Sequence, residues 1–174
     1  HIDQLNKIFI GFNRLSIQDI SDNGNQPMMD KSKNIIIVFN GEIYNFKKIK
    51  EKFLSKDEEF ISESDTEVIL ILYKKFGLDK LLKIIKGMFS FIIYDKILNE
   101  LMLVRDQFGM KPLYYSNYQN SFIISSEIKS IINLRGYNDL DSLNSLNTSL
   151  TCYLPPKGET IFSEIKEVKS GHYV

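Results

Sequence analysis

Asparagine and glycine at positions 40 and 41 follow the apolar run Ile35-Ile36-Ile37-Val38-Phe39. They set two donors side by side, the Asn40 side-chain amide and the Gly41 backbone N–H. Glycine lets a ligand approach the main chain and tolerates positive φ. Two donors held at the end of a rigid strand are what an oxyanion hole requires, because they meet negative charge as it develops on a carbonyl oxygen. Asn-Gly also fits the two central positions of a type I′ hairpin turn.

Three charged residues add to the pattern. Arg14 follows a first apolar segment, in Gly11-Phe12-Asn13-Arg14-Leu15-Ser16-Ile17-Gln18. A guanidinium there can hold a carboxylate through two parallel hydrogen bonds, or pair with a surface acid. Glu42 adjoins the Asn-Gly pair. Asp65 falls in the first turn of a predicted helix, where the helix dipole favours an acid whatever its function. Singly each has an ordinary structural explanation. Together, one cation and two acids match the α-carboxylate and α-ammonium of a free amino acid, with Asn40 and Gly41 over a side-chain carbonyl. That is the constellation of an amide hydrolase acting on a zwitterionic amino acid.

The elements that must position these groups follow from pattern. Residues 7–12 and 34–39 are predicted strands, separated by a loop at Ser21-Asp22-Asn23-Gly24-Asn25-Gln26-Pro27. Residues 46–54 are a predicted short helix. Ser64-Asp65-Thr66-Glu67 has the capping-box spacing, with Ser64 as N-cap and Glu67 at N3. The helix it opens should stop at Gly77, and a second should cover 78–85. Two hairpins follow: residues 88–94 with 101–104, and 113–115 with 122–124, the latter across 117–120. Residues 127–134 should be helical. Strands grouped with strands and helices with helices indicate α+β with antiparallel sheets. Pro155-Pro156-Lys157-Gly158 could open a linker.

Composition narrows the class of function. The 174 residues are 43% hydrophobic, with 12 Phe and 9 Tyr, a globular balance. Lys plus Arg and Asp plus Glu are 22 each, which gives no electrostatic case for nucleic acid or an anionic membrane. Lys47-Lys48-Ile49-Lys50 is expected to be a solvated helix face. No apolar run approaches the roughly 18 residues of a membrane span, and the first residues do not form a signal peptide. Cys152 is the sole cysteine. No intrachain disulfide is therefore possible, a reducing cytoplasm fits, and no zinc or other metal site is expected. Cys152 itself is expected to be a small buried residue.

The chain resembles the glutaminase domain of glutamine-hydrolysing asparagine synthetases, class II glutamine amidotransferases of the N-terminal-nucleophile (Ntn) superfamily. The resemblance is carried, in order, by Arg14-Leu15-Ser16-Ile17, Gly24-Asn25-Gln26-Pro27-Met28, and Phe39-Asn40-Gly41-Glu42-Ile43-Tyr44-Asn45-Phe46. It continues through Ser64-Asp65-Thr66-Glu67-Val68-Ile69-Leu70, Gly87-Met88-Phe89-Ser90-Phe91, Arg105-Asp106-Gln107-Phe108-Gly109-Met110-Lys111-Pro112-Leu113-Tyr114-Tyr115 and Ser126-Glu127-Ile128-Lys129. Thr160-Ile161-Phe162 and Gly171-His172-Tyr173 are similar to the stretch where that family enters its synthetase domain.

The resemblance implies a four-layer αββα sandwich with antiparallel sheets. It implies that Arg14 binds the glutamine carboxylate within a segment Leu15, Ser16, Ile17 and Gln18. Asn40 and Gly41 would form the oxyanion hole, and Glu42 and Asp65 would hold the substrate ammonium. Arg105-Asp106 and Lys111-Pro112 would order the fold and its contact with a synthetase half. Glutamine would be hydrolysed to glutamate, supplying ammonia for ATP-dependent amidation of aspartate. ATP and magnesium would belong to an absent C-terminal synthetase domain, and this domain would need no cofactor. Residues 1–154 would be the glutaminase domain, and 155–174 would lead toward the synthetase domain; a homodimer is left open. The family's nucleophile is an N-terminal cysteine whose own α-amine assists proton transfer. This chain opens at His1, so that cysteine and the first strand are expected to be missing and the polypeptide as given to be inactive. Cys152, being internal, has no free α-amine to substitute. The rival reading is a catalytically silent glutaminase-like scaffold, which has no physical need for the whole set Arg14, Asn40, Gly41, Glu42 and Asp65.

Overall fold

The computed structural model describes residues 1–13, 21–54, 60–136, 143–153 and 155–174. The chain divides into two units, His1–Met102 and Leu103–Val174. In chain order the elements of the first unit are β1 (Ile2–Asp3), β2 (Ile8–Phe9), a 3₁₀ turn (Asp22–Gly24), β3 (Met28–Met29), β4 (Ile35–Ile43), α1 (Phe46–Phe53), α2 (Asp65–Ile84) and β5 (Gly87–Asp95). β6 (Glu100–Arg105) spans the division, and the four-stranded sheet has the order β3-β4-β5-β6.

β4 and β5 pair antiparallel over nine positions, from Ile35 opposite Asp95 to Ile43 opposite Gly87. Ile35, Ile36, Ile37, Val38 and Phe39 are all buried, so this half of β4 is covered on both faces and can be apolar at every position. At Asn40, Gly41 and Glu42 the strand becomes polar and only half-buried, before returning to the fully buried Ile43. The candidate site occupies that interruption.

α2 packs on β4 and is buried around most of its first two turns, including Val68, Ile69, Leu70, Leu72 and Tyr73. Fully burying each such aliphatic side chain contributes about 1.5–3 kcal/mol, so the helix is anchored where Asp65 begins it. Ser64 caps it, its Oγ accepting from Thr66 N–H at 3.1 Å. Glu67 does not close the expected capping box. Its carboxylate reaches further back and accepts from Ile61 N–H (2.9 Å), Ser62 N–H (2.7 Å) and Ser62 Oγ–H (2.7 Å). Gly77 does interrupt the helix, at φ 74° and ψ 175°, and the second helical segment runs on to Ile84 without a separating loop.

Asp30 ties the turn between β3 and β4 to α2. It accepts from the N–H groups of Asn34 (2.9 Å) and Ile35 (3.0 Å), from Ser32 Oγ–H (2.6 Å) and from Lys74 Nζ (2.7 Å). Burial pushes its carboxyl up, but those donors outweigh it and hold the group well below the usual carboxylate range.

The expected strand over 7–12 is shorter. Only Ile8–Phe9 pairs, with Ile2–Asp3, because Lys7 takes φ 55° and Asp3 gathers Asn6 into a turn. Lys47 and Lys48 on α1 are exposed as expected, with Ile49 buried beneath them, but Lys50 is half-buried with its ammonium over the Phe60 ring.

The second unit carries β7 (Tyr114–Tyr118), β8 (Ser121–Ser125), α3 (Ile128–Arg135), α4 (Leu143–Cys152) and β9 (Ile165–Glu167), with sheet order β8-β7-β9. The β7–β8 hairpin extends to Tyr118 opposite Ser121, tighter than the predicted turn. β9 pairs antiparallel with β7, so residues beyond 155 contribute a strand to this unit. Arg105 donates to the carbonyls of Lys111 (3.0 Å), Val168 (2.8 Å) and Gly109 (2.9 Å) and pairs with Glu167 at 2.9 Å. The Asp106 carboxylate accepts from Phe108 N–H (2.8 Å) and Met110 N–H (2.9 Å). These two residues order the 105–111 loop, the structural part of the expectation. Cys152 departs from it: the thiol is exposed at the end of α4, beside the exposed Thr151 and Tyr153, and is not a core residue.

Candidate active site

Asn40 and Gly41 lie within β4 and do not end it. The strand expected to end at Phe39 runs four residues further, to Ile43, and the hairpin-turn reading fails because the partner strand β5 begins only at Gly87. Glycine is tolerated here for a steric reason. A Cβ on Gly41 would lie 2.1 Å from the Met88 carbonyl oxygen, and its φ is +153°. A Cβ on Gly87 would lie 2.0 Å from the Glu42 carbonyl oxygen. Two glycines thus let β4 and β5 approach closely where the polar residues stand.

The ladder decides where the Gly41 N–H points. Lys96 N–H donates to the Asn34 carbonyl (2.9 Å) at one end of the β4–β5 pair, and Tyr44 N–H donates to the Lys86 carbonyl (2.8 Å) at the other. Even-numbered β4 residues therefore turn their backbone groups toward β5, and odd-numbered ones turn theirs to the opposite edge. On that edge the structure shows two side-chain clamps. Phe39 N–H donates to Gln26 Oε1 (2.6 Å), and Gln26 Nε2 donates to the Phe39 carbonyl (3.1 Å). Ile43 N–H donates to Asp65 Oδ2 at 2.8 Å. Gly41 falls between these clamps, with its N–H on the same edge. Asn40 is paired in register with the buried Ser90.

Asp65 is itself buried, at the start of α2. Burial pushes its carboxyl up, and the negative charge of Glu42 pushes it the same way. Hydrogen bonds from Ile43 and Thr66 N–H groups pull it down without cancelling the rise. Two acids from different elements therefore act on one another electrostatically. Arg14, Leu15, Ser16, Ile17 and Gln18 lie outside the described residues. Among the described residues, no group of three or more His, Cys, Asp and Glu is placed to hold a metal ion, and no helix is long and apolar enough to cross a membrane.

The structure thus brings Asn40, Gly41, Glu42 and Asp65 to one end of β4. Sequence reasoning missed Gln26 and Thr66. Gln26 Nε2 is 3.4 Å from Thr66 Oγ1, beside Asp65, so the two clamps meet. Only the fold discloses this: continuing the pairing of Met28 with Ile37 and Met29 with Ile36 brings position 26 opposite Phe39. The Gly41 N–H thus lies on the β4 edge away from β5, next to Asn40, and Asp65 stands at the end of the same strand with the Glu42 charge acting on it.

Comparison with known proteins shows the family. A family model described as a glutamine amidotransferase domain matches residues 1–174. The chain is 38% identical to asparagine synthetase (glutamine-hydrolyzing) 2 of Bacillus subtilis (strain 168), covering 100% of this chain and 23% of that protein. It is 35% identical to asparagine synthetase (glutamine-hydrolyzing) 1 of the same organism, covering 92% of this chain and 25% of that protein. The chain therefore spans about a quarter of the length of these curated relatives. Among solved structures, the allosteric regulatory enzyme of purine biosynthesis superposes with TM-score 0.64 at 20% identity, covering 92% of this chain and 31% of that one. That likeness concerns the fold alone, and the helices and antiparallel sheets of this chain agree with the expected α+β class. With a matching family model along its whole length and relatives in agreement, this chain belongs to the glutamine amidotransferase domain family.

Proposed function

We propose that this domain hydrolyses L-glutamine to glutamate and ammonia, and that the ammonia serves an attached asparagine-synthetase domain. The observation that carries the reading is the placement of Asn40-Gly41 on β4, between the Gln26 and Asp65 clamps and next to two acids. Glutamine would be held at both of its charged ends. Its ammonium would lie against Glu42 and Asp65, and its carboxylate against Arg14 and the segment to Gln18. Attack on the side-chain carbonyl by a thiolate would move charge to the oxygen, where the Asn40 amide and Gly41 N–H would receive it. Collapse would expel ammonia and leave a thioester, and water would release glutamate.

The nucleophile this chemistry needs is a cysteine with a free α-amine. Cys152 does not meet that need, being internal and exposed at the end of α4. The relatives' names, asparagine synthetase (glutamine-hydrolyzing), support a link between glutamine hydrolysis and asparagine synthesis. In the wider reading, a further domain would bind ATP and magnesium and amidate aspartate in the cytoplasm.

The test is ammonia release from glutamine by two proteins, a polypeptide limited to residues 1–174 and the natural full-length chain. The first should release none and the second should turn over. Turnover by the 1–174 polypeptide that survives Cys152→Ala would sink the N-terminal-nucleophile mechanism. Absence of turnover in a folded full-length chain would favour the silent scaffold.

A further inference from the structure

We infer that Gln26 is a positioning residue for the oxyanion donors, an inference that rests on the glutaminase reading above. The β3–β4 ladder stops at Met28 opposite Ile37. Pro27 falls opposite Val38, whose backbone groups face β5, so the next position able to bond across this edge is 26, opposite Phe39. There the Gln26 side chain does what a strand backbone would do. Its amide oxygen takes the Phe39 N–H at 2.6 Å and its amide nitrogen donates to the Phe39 carbonyl at 3.1 Å.

The Phe39 carbonyl belongs to the peptide plane that leads into Asn40. Gln26 holds that plane from one edge, and the ladder turns the Asn40 N–H toward β5 on the other. The next N–H on the open edge is that of Gly41. It cannot be tied down itself without being lost as a donor to substrate. Its position must therefore be fixed by its neighbours on that edge: Phe39 by Gln26, and Ile43 by Asp65 at 2.8 Å. The Gln26–Thr66 approach of 3.4 Å joins the two holds, because Thr66 follows Asp65 in α2.

Only glutamine meets this geometry. Asparagine is one methylene shorter. Glutamate keeps the acceptor for Phe39 N–H but sets a second oxygen against the Phe39 carbonyl. A purely structural Gln26 would affect stability alone. A positioning Gln26 would also move kcat, since misplacing a catalytic group by about 1 Å can cost up to roughly a hundredfold.

The experiment is glutamine hydrolysis by the natural full-length chain, comparing the parent with Gln26→Glu and Gln26→Met. Turnover is normalised to folded protein, and thermal midpoints are recorded. Both variants should lose roughly ten- to a hundredfold in kcat, with KM for glutamine within about threefold of the parent. Parent-like kcat in either folded variant, or an effect confined to KM, overturns the inference. If neither Gln26 variant folds, Thr66→Val and Thr66→Ser decide. A fall in kcat for valine that serine restores supports the inference, and a parent-like kcat for valine overturns it. A folded parent that does not hydrolyse glutamine defeats the glutaminase reading, and this inference with it. An active parent with unaffected variants defeats the inference alone.

Discussion

Replacing Asp65 separates two jobs that one carboxylate performs. Its Oδ2 accepts the Ile43 N–H at 2.8 Å, and Ile43 is wholly inaccessible. Asp65→Ala strands that N–H without a partner, at a cost of about 1–3 kcal/mol. For a protein of this size each kcal/mol lowers the thermal midpoint by about 2–4 °C, so a fall of roughly 2–12 °C is expected. Asp65→Asn keeps an acceptor oxygen for Ile43 and removes the buried charge. The carboxyl's folded pKa is raised, first by burial and then by the Glu42 charge. The folded chain thus takes up this proton at higher pH than the unfolded chain does. Charged Asp65 weighs against folding above its folded pKa, and the penalty is relieved as pH falls through it. Asp65→Asn should therefore keep or raise the midpoint at neutral pH. Glutamine binding should respond differently. Losing a charged hydrogen bond to the ammonium is worth about 1.5–3 kcal/mol, so KM should rise roughly ten- to a hundredfold in both variants. In the parent, KM should rise on acidification at a pH above the ordinary aspartate value of about 3.9. The assays are thermal unfolding and the pH dependence of glutaminase KM in the full-length chain. A midpoint in Asp65→Ala no lower than that of Asp65→Asn, which sheds the same charge but keeps the acceptor, would refute the strand tie. An unchanged KM in Asp65→Asn would refute the ammonium role.

Three further outcomes are expected. Gly41→Ala places a Cβ 2.1 Å from the Met88 carbonyl oxygen, so β4 and β5 must part; thermal unfolding should show a large loss of stability, and a parent-like midpoint would contradict the close approach. Asp30→Asn should lower stability at neutral pH. Because the folded pKa of Asp30 is depressed, its contribution is present above the unfolded value of about 3.9 and lost as pH falls below it, so urea titrations should show the gap between parent and variant narrowing in acid. Arg14→Ala should raise the glutamine KM about ten- to a hundredfold in the full-length chain with kcat little changed, and normal binding would leave Arg14 a surface residue.

What the sequence made legible were the patterns that local physics writes. The apolar run into Asn40, the Ser64 cap, the Gly77 break and the 114–125 hairpin all follow from periodicity, capping and turn chemistry, and the structure keeps them. It was less informative where a long-range partner decides. Asn-Gly is good turn chemistry, yet here the glycine serves strand approach, and only the β4–β5 register discloses it. Glu67 had the spacing of a capping box, but the backward course of the 61–62 loop gave it nearer donors. Asp65 was seen as a charge at a helix start, while its bond to Ile43, 22 positions earlier, needed the fold. The role of Gln26 is not legible in the Gly24-Asn25-Gln26-Pro27-Met28 motif, because its two bonds go to the backbone of a residue 13 positions away. Cys152 was misplaced because a small apolar type says little about burial at a helix end, where Tyr153 is also exposed.

The oxyanion assignment is tested most directly by kcat for glutamine hydrolysis in the full-length chain carrying Asn40→Ala, normalised to folded protein. A donor that strengthens its hydrogen bond only as the carbonyl becomes tetrahedral predicts a fall of about two to three orders of magnitude in kcat, with KM nearly unchanged. Asn40→Asp, which replaces the donor with a negative charge facing the oxyanion, should be at least as damaging. A lowered thermal midpoint with parent-like normalised kcat in both variants would contradict the assignment and leave Asn40 a structural residue of β4.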